Sequence, residues 1–316
     1  MLRNQRARVA LLGLVLATAT VGVRAGDASK QKVNMDIKAS SKGFLKVNGT
    51  ELWHEVYGEG APLVVLHGGL MTVPEMMPLI EPLAKTRKVI ALELQGHGHT
   101  PDSDRPFALP TLGDDVAAVL DKLEIEQADV VGYSLGADVA LRTAIQHPNK
   151  VRRLIVISTP FAKRGWYAEA RKGMAAVGAQ LAEPMKNTPT AKLSRQWPEP
   201  QRFPKFLDKL GKMMAEDYDW SAEVKRLPMP VMLVYADHDS VAQAHIAEFF
   251  ALLGGGISEP GWINTKLTNA RLAIIPGYSH YNFMSSHEIA PIIEKFLVDP
   301  MKATSGGAAA ASTVAP

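Results

Sequence analysis

Apolar residues in this chain recur in two alternating styles. Short solid runs at Leu63–Leu66, Val89–Glu93, Val130–Val131, Leu154–Ile157, Val231–Tyr235 and Leu272–Ile275 show no in-and-out alternation, the pattern of strands covered on both faces. Between them, apolar positions return every three or four residues at Glu75–Lys85, Leu112–Leu123, Leu135–Gln146, Ala242–Leu253 and Ser286–Leu297, which predicts helices. Strand and helix in alternation predict an α/β fold with a doubly wound, mostly parallel sheet. Ahead of this series, Phe44–Val47 and Glu51–Tyr57 flank Asn48-Gly49, a hairpin signal. His147-Pro148-Asn149 reads as a helix stop.

Residues 162–228 break the rhythm. They carry Trp166, Tyr167, Met174, Met185, Trp197, Phe203, Phe206, Met213, Met214 and Trp220. Taken one at a time, most such residues serve to glue one layer to another. As a group, methionines and aromatics predict an adaptable apolar surface roofing a pocket. Gly254-Gly255-Gly256 opens a long loop reaching Asn269, from which Trp262 could reach the pocket rim or cover the sheet edge.

Composition changes the picture mainly at the ends. Arg3, Arg6, Arg8 and Arg24 lie in the first 25 residues, which contain no acid, and they exceed the whole formal charge of +3. The remainder is near neutral, so no nucleic-acid partner is implied. Residues 1–25 read as a secretory signal peptide. Val9–Val23 is a run of apolar and small residues too short for a bilayer span, which needs about 20, and Val23-Arg24-Ala25 predicts cleavage after Ala25. The alternative is an uncleaved N-terminal anchor. The first 25 residues hold no Arg-Arg pair and the chain has no cysteine, which disfavours twin-arginine export and excludes a lipidated cysteine or a disulfide. The expected location is therefore periplasmic or secreted, with no stable membrane span after cleavage. Residues 26–42 read as a polar linker, and residues 301–316 as a disordered tail of small residues.

Gly132-Tyr133-Ser134-Leu135-Gly136 sits between the apolar run ending at Val131 and the helical pattern that begins at Leu135. Strand, sharp turn and helix with serine at the apex is the nucleophile elbow. Its glycines relieve collisions around a strained turn. A bare Gly-x-Ser-x-Gly arises by chance in glycine-rich turns; the flanking elements argue for the nucleophile.

With these residues the chain resembles the α/β-hydrolase family, over roughly Gly43 to Val298. Leu66-His67-Gly68-Gly69 follows a strand where that family places its oxyanion loop. Val89 to Thr100 resembles the next strand and its Gly-x-Gly turn, although Glu93 stands where Asp is usual and Gln95 where Arg is usual. Asp237-His238-Asp239 and Gly277-Tyr278-Ser279-His280 resemble the loops that deliver the acid and the base, in the order Ser, Asp, His. The resemblance implies an α/β-hydrolase core at 43–161 and 229–300 and a helical cap at 162–228.

The implied catalytic set is Ser134 as nucleophile, His280 as base and Asp239 as orienting acid. Asp237 is the rival acid, but Asp239 lies three residues past the small Ala236, as the family's acid does. The interval from Asp239 to His280 is longer than the family leads one to expect. His147 reads as a helix end, His245 as a helix surface and His54 as part of the hairpin; His287 is a poorer candidate at a helix start. The oxyanion donors are expected at Leu135 N–H and at Gly69, with Leu70 the alternative, and Tyr133 is expected beside the cleft. Asp138 stands where a small residue is expected. It reads either as a tuner of acyl-enzyme chemistry or as an ordinary first-turn helix acid. His97-Gly98-His99-Thr100-Pro101-Asp102 superficially resembles the metal cluster of metallo-β-lactamase-like lactonases, but its Asp is one place late and the next histidine is missing, and three ligands are needed.

The expectation is a serine hydrolase cleaving a carboxylic ester or lactone of a small-to-medium apolar substrate through an acyl-enzyme, with no metal or organic cofactor. Serine at the elbow argues against dehalogenase and epoxide-hydrolase relatives, which use Asp there. Carbon–carbon bond hydrolase, peptidase and cofactor-free perhydrolase chemistry, or a non-catalytic ligand-binding relative, remain open on the same fold.

Overall fold

The computed structural model describes residues 37–186, 188, 194–195, 197–261 and 267–298. The expected signal peptide 1–25, the tail 301–316 and Trp262 lie outside these residues. Eight strands form one sheet: β1 (Ser41–Val47), β2 (Thr50–Tyr57), β3 (Ala61–Leu66), β4 (Arg87–Leu92), β5 (Ala128–Tyr133), β6 (Val151–Ile157), β7 (Val231–His238) and β8 (Ala270–Ser279). The strand order is β1-β2-β4-β3-β5-β6-β7-β8. The β1–β2 and β2–β4 pairs are antiparallel, and every other neighbouring pair is parallel. The hairpin turns at Asn48 (φ 45°) and Gly49 (φ 75°), the two left-handed residues that a tight two-residue turn requires. Strand β1 begins at Ser41 and pairs Lys42 with Glu55. The last two residues of the expected 26–42 linker are therefore strand, because β2 supplies a partner edge that reading the apolar run alone does not reveal.

The missing alternation in the strands has a direct cause. In β3, Leu63 and Val65 belong to one buried cluster and Val64 and Leu66 to another. The first is closed by helices α1 (Met77–Leu83) and α9 (Ile289–Val298), the second by α2 (Leu109–Lys122), α3 (Leu135–Gln146) and α8 (Gln243–Leu252). Between β6 and β7 lies a helical insertion with α4 (Ala168–Ala175), α5 (Ala182–Met185), α6 (Phe203–Ala215) and α7 (Ser221–Val224). Helix α6 buries Phe203, Phe206, Leu207, Leu210 and Met213. It is tied to the loop after β4 by Lys209 Nζ, which donates to both Asp102 oxygens at 3.1 and 3.0 Å. Trp197 Nε1–H also donates to the Gly98 carbonyl at 3.0 Å.

The sheet order positions the site. Strands β5, β6, β7 and β8 are consecutive neighbours. The residues immediately after their C-terminal ends are Ser134, Ser158, Asp239 and His280. Four polar side chains thus converge on the carboxyl edge of the sheet, the edge where open α/β sheets bind their ligands.

Candidate active site

Ser134 caps α3 at φ 52°, ψ −118°, a left-handed conformation that costs a non-glycine residue about 1–3 kcal/mol. The flanking glycines make the turn possible. A Cβ on Gly132 would drive into the Gly136 carbonyl, and one on Gly136 into the Leu66 and His67 carbonyls. The collisions are with the helix and with β3 rather than with the serine itself. Ser134 N–H donates to the Ile157 carbonyl at 2.9 Å, and Ser134 O accepts Asp138 N–H at 3.0 Å.

A continuous chain of hydrogen bonds leads from the serine. Ser134 Oγ lies 3.1 Å from His280 Nε2, and His280 Nδ1 lies 3.0 Å from Asp239 Oδ1. Asp239 is buried. Burial would raise its carboxyl, but the hydrogen bond and charge of His280, the Ser158 hydroxyl at 2.5 Å and the Val241 N–H at 3.2 Å outweigh that and hold it below the usual carboxylate range. The His280 ring stacks against Tyr133 (centroids 5.6 Å) and meets the edge of Trp166 (5.5 Å). The Tyr133 hydroxyl donates to the His280 carbonyl. The structure thus brings together Ser134, His280, Asp239 and Tyr133. Asp237 turns elsewhere: it accepts Gly277 N–H at 2.9 Å, bracing the loop that carries the histidine. The long interval between Asp239 and His280 holds α8, the following loop and β8.

Gly69 and Leu135 stand side by side, since a Cβ on Gly69 would touch Leu135 at 3.8 Å. Leu135 N–H is the first of its helix and has no residue four back in the helix to accept it. Among the described residues no protein acceptor takes the Gly69 N–H. Leu70 is different. Its N–H donates to His97 Nε2 at 3.0 Å, so it is not available as the alternative oxyanion donor, although its side chain lines the cavity. Its loop is held twice: His67 Nε2 accepts Leu94 N–H at 3.0 Å, while the Nδ1 positions of His67 and His97 donate to the Gly68 and Gln95 carbonyls at 2.8 and 3.0 Å. Burial lowers both imidazoles below the ordinary histidine range. His97 is thereby turned away from His99, which stacks on Trp53 at 4.2 Å and bonds Glu93 at 2.9 Å. Among the described residues no three His, Cys, Asp or Glu side chains are grouped to hold a metal. Glu93 and Gln95 support the loop, Gln95 through Asp102 and Arg105.

The serine opens into a cavity of about 250 Å³. Of the ten aromatic and methionine residues singled out in 162–228, Trp166, Met174, Met213 and Met214 line it. Trp197, Phe203 and Phe206 pack instead among themselves, Phe206 also reaching His97 at 5.1 Å. Tyr167 is 46% exposed. Three residues escaped sequence reasoning. Ser158 and Thr159, both fully buried, follow β6 and donate to Asp239 and Asp138; two hydroxyls ending an apolar strand were the available signal. His245 is 95% buried on α8, stacked 4.1 Å from Phe161, not on the helix surface as expected, because the insertion covers that face.

A family model for the alpha/beta hydrolase fold matches residues 61–175. A pimeloyl-(acyl-carrier protein) methyl ester esterase from Chromobacterium violaceum is 30% identical over 249 residues, covering 75% of this chain and 93% of that protein. A 2-hydroxymuconate semialdehyde hydrolase from Pseudomonas is 40% identical over 106 residues, but the match spans only 32% of this chain and 38% of that protein. Among solved structures, a carboxylesterase from Bacillus subtilis superposes with a TM-score of 0.62 at 17% identity, covering 83% of this chain and 93% of that one. Elbow, strand order and relatives agree: the chain belongs to the alpha/beta hydrolase fold family.

Proposed function

We propose that this chain is a serine hydrolase that cleaves a carboxylic ester or lactone of small-to-medium apolar character through an acyl-enzyme. The observation that carries this reading is the unbroken hydrogen-bond chain Ser134–His280–Asp239 opening on an apolar cavity. His280 takes the serine proton as Oγ attacks the acyl carbon, and passes it to the leaving alcohol. Asp239 fixes the tautomer with the proton on Nδ1 and stabilises the imidazolium as it forms. The developing oxyanion is held by the N–H groups of Gly69 and Leu135 at the start of α3, where the helix dipole also favours negative charge. Water then repeats the sequence and frees the acid. The 162–228 insertion acts as the cap that sizes the substrate.

The similarity to a methyl ester esterase, over 75% of this chain and 93% of that protein, supports ester chemistry. A second reading, a hydrolase of the 2-hydroxymuconate semialdehyde type, has the higher identity over a much shorter stretch. We also infer export, on the basic and then apolar residues 1–25; fractionation of the native host places the protein in periplasm or medium if this holds, and in cytoplasm if it does not. The test of function is hydrolysis of p-nitrophenyl esters from acetate to decanoate by residues 26–316 beside Ser134→Ala. Turnover lost in the variant supports the ester reading; no turnover by either protein rejects it and brings 2-hydroxymuconate semialdehyde to the front.

A further inference from the structure

Helix α3 carries a second acid into the cavity. Asp138 lies four residues past Ser134, roughly 6 Å along the helix axis, and lines the same cavity. It is buried, so it is no ordinary first-turn helix acid. Thr159 Oγ1–H donates to its Oδ1 at 2.6 Å. Among the described residues no protein donor reaches Oδ2. A buried carboxyl left half-satisfied is costly, and here desolvation outweighs the Thr159 hydrogen bond and pushes the group up to about 7.

Two donors face the same space. Lys163 Nζ gives one proton to the Met214 carbonyl and keeps others free. The Tyr218 oxygen accepts Trp166 Nε1–H at 3.2 Å, and its own proton has no acceptor among the described residues. Both residues line the cavity, and each interacts electrostatically with Asp138. Most of the other lining residues are apolar, among them Ala170, Met174, Val177, Leu210 and Met213, so the cluster sets one acceptor and at least two donors in apolar surroundings.

We propose that Asp138, Tyr218 and Lys163 form a polar subsite that binds a hydroxyl group of the substrate, separated by a short spacer from the bond cleaved. A hydroxyl donates and accepts at once, so it donates to Asp138 Oδ2 and accepts a hydrogen bond from Tyr218 or Lys163. A plain alkyl chain would bury the cluster without partners. The subsite rests on the ester-hydrolase reading and names its substrate class as a hydroxylated ester.

The test is kcat/KM on two matched pairs, methyl hexanoate with methyl ω-hydroxyhexanoate and butyl acetate with ω-hydroxybutyl acetate, which place the hydroxyl on the acyl or the alcohol side. In the wild type the hydroxylated member of one pair is expected to be favoured by about tenfold or more. Asp138→Asn, which still accepts and donates, is expected to keep part of that ratio, and Asp138→Leu to invert it. Should the leucine variant fail to fold, the double variant Tyr218→Phe with Lys163→Met decides, since loss of both donors must also lower the ratio. Preference for the alkyl member in both wild-type pairs overturns the subsite, as does an equal loss on both members in the variants. Absence of wild-type turnover on all four esters is a different result, and removes the ester reading and the subsite together.

Discussion

The floor and the roof of the cavity are built on opposite principles. The floor is polar and over-determined: Asp239 alone meets His280, Ser158 and Val241, and every member hangs from the end of a strand fixed by its neighbours. The roof is largely apolar, Lys163 and Tyr218 apart, and held by side-chain packing, with methionines where it faces the cavity and a few ion pairs to Asp102 and Asp104 at its foot. A strand end places an atom to within tenths of an ångström, as proton transfer needs. Methionine adapts its shape, as a surface fitted to varied chains requires. Rate should therefore reside in the floor and choice in the roof.

The largest expected effect is on the floor. Ser134→Ala should lower ester turnover by roughly 10⁴-fold or more with an unchanged circular dichroism spectrum; residual activity near the wild-type level would move the chemistry elsewhere. Ser158→Ala removes one donor to a charged carboxylate and should lower kcat/KM by roughly 10–100-fold. The loss should be alike for acetate and decanoate esters, because it acts through Asp239 and His280 rather than through substrate contact. Met213→Trp, on the roof, should shift the acyl-chain optimum toward shorter esters by a factor of about 10 in relative kcat/KM. If it instead depresses all chain lengths equally, the division between floor and roof fails.

The smallest effect is one of stability. The folded Asp138 carboxyl sits at about 7, above its ordinary 3.8. The native state keeps this proton where the unfolded chain has lost it, so the group's contribution to stability declines as pH rises from about 4 to about 7 and is flat beyond. Asp138→Asn does not titrate. Its stability relative to wild type should therefore be higher at pH 8 than at pH 5, by about 3 kcal/mol, read as several degrees in Tm by thermal melts. An equal difference at both values would mean that the carboxyl titrates normally.

The two regions also differed in how far the sequence revealed them. Helix α3 is read from Leu135 to Gln146 without error, and all eight strands are anticipated, because their signals are local: an apolar run, a glycine, a period. Ser134, Asp239 and His280 were legible for the same reason, each lying beside such a signal. Ser158 was not, because its role depends on β6 lying between β5 and β7, a relation among strands far apart in the chain. Leu70 was misjudged because the acceptor of its N–H is His97, 27 residues away. His245 was misjudged because periodicity shows which face of a helix is apolar, not which face an insertion will cover. In the roof, residue types were legible and directions were not, so four lining residues could not be told from the others that serve as packing.

His67 and His97 each lend an unprotonated ring nitrogen to a backbone N–H, and burial lowers both imidazoles below the ordinary histidine range, favouring their neutral form. The fold thus uses one kind of side chain in two electrical roles a few residues apart in space. On the proposed mechanism one imidazole is wired into the traffic of protons; the other two are insulators, excluded from that traffic so that the loop beside the reacting carbonyl does not shift each time a proton passes.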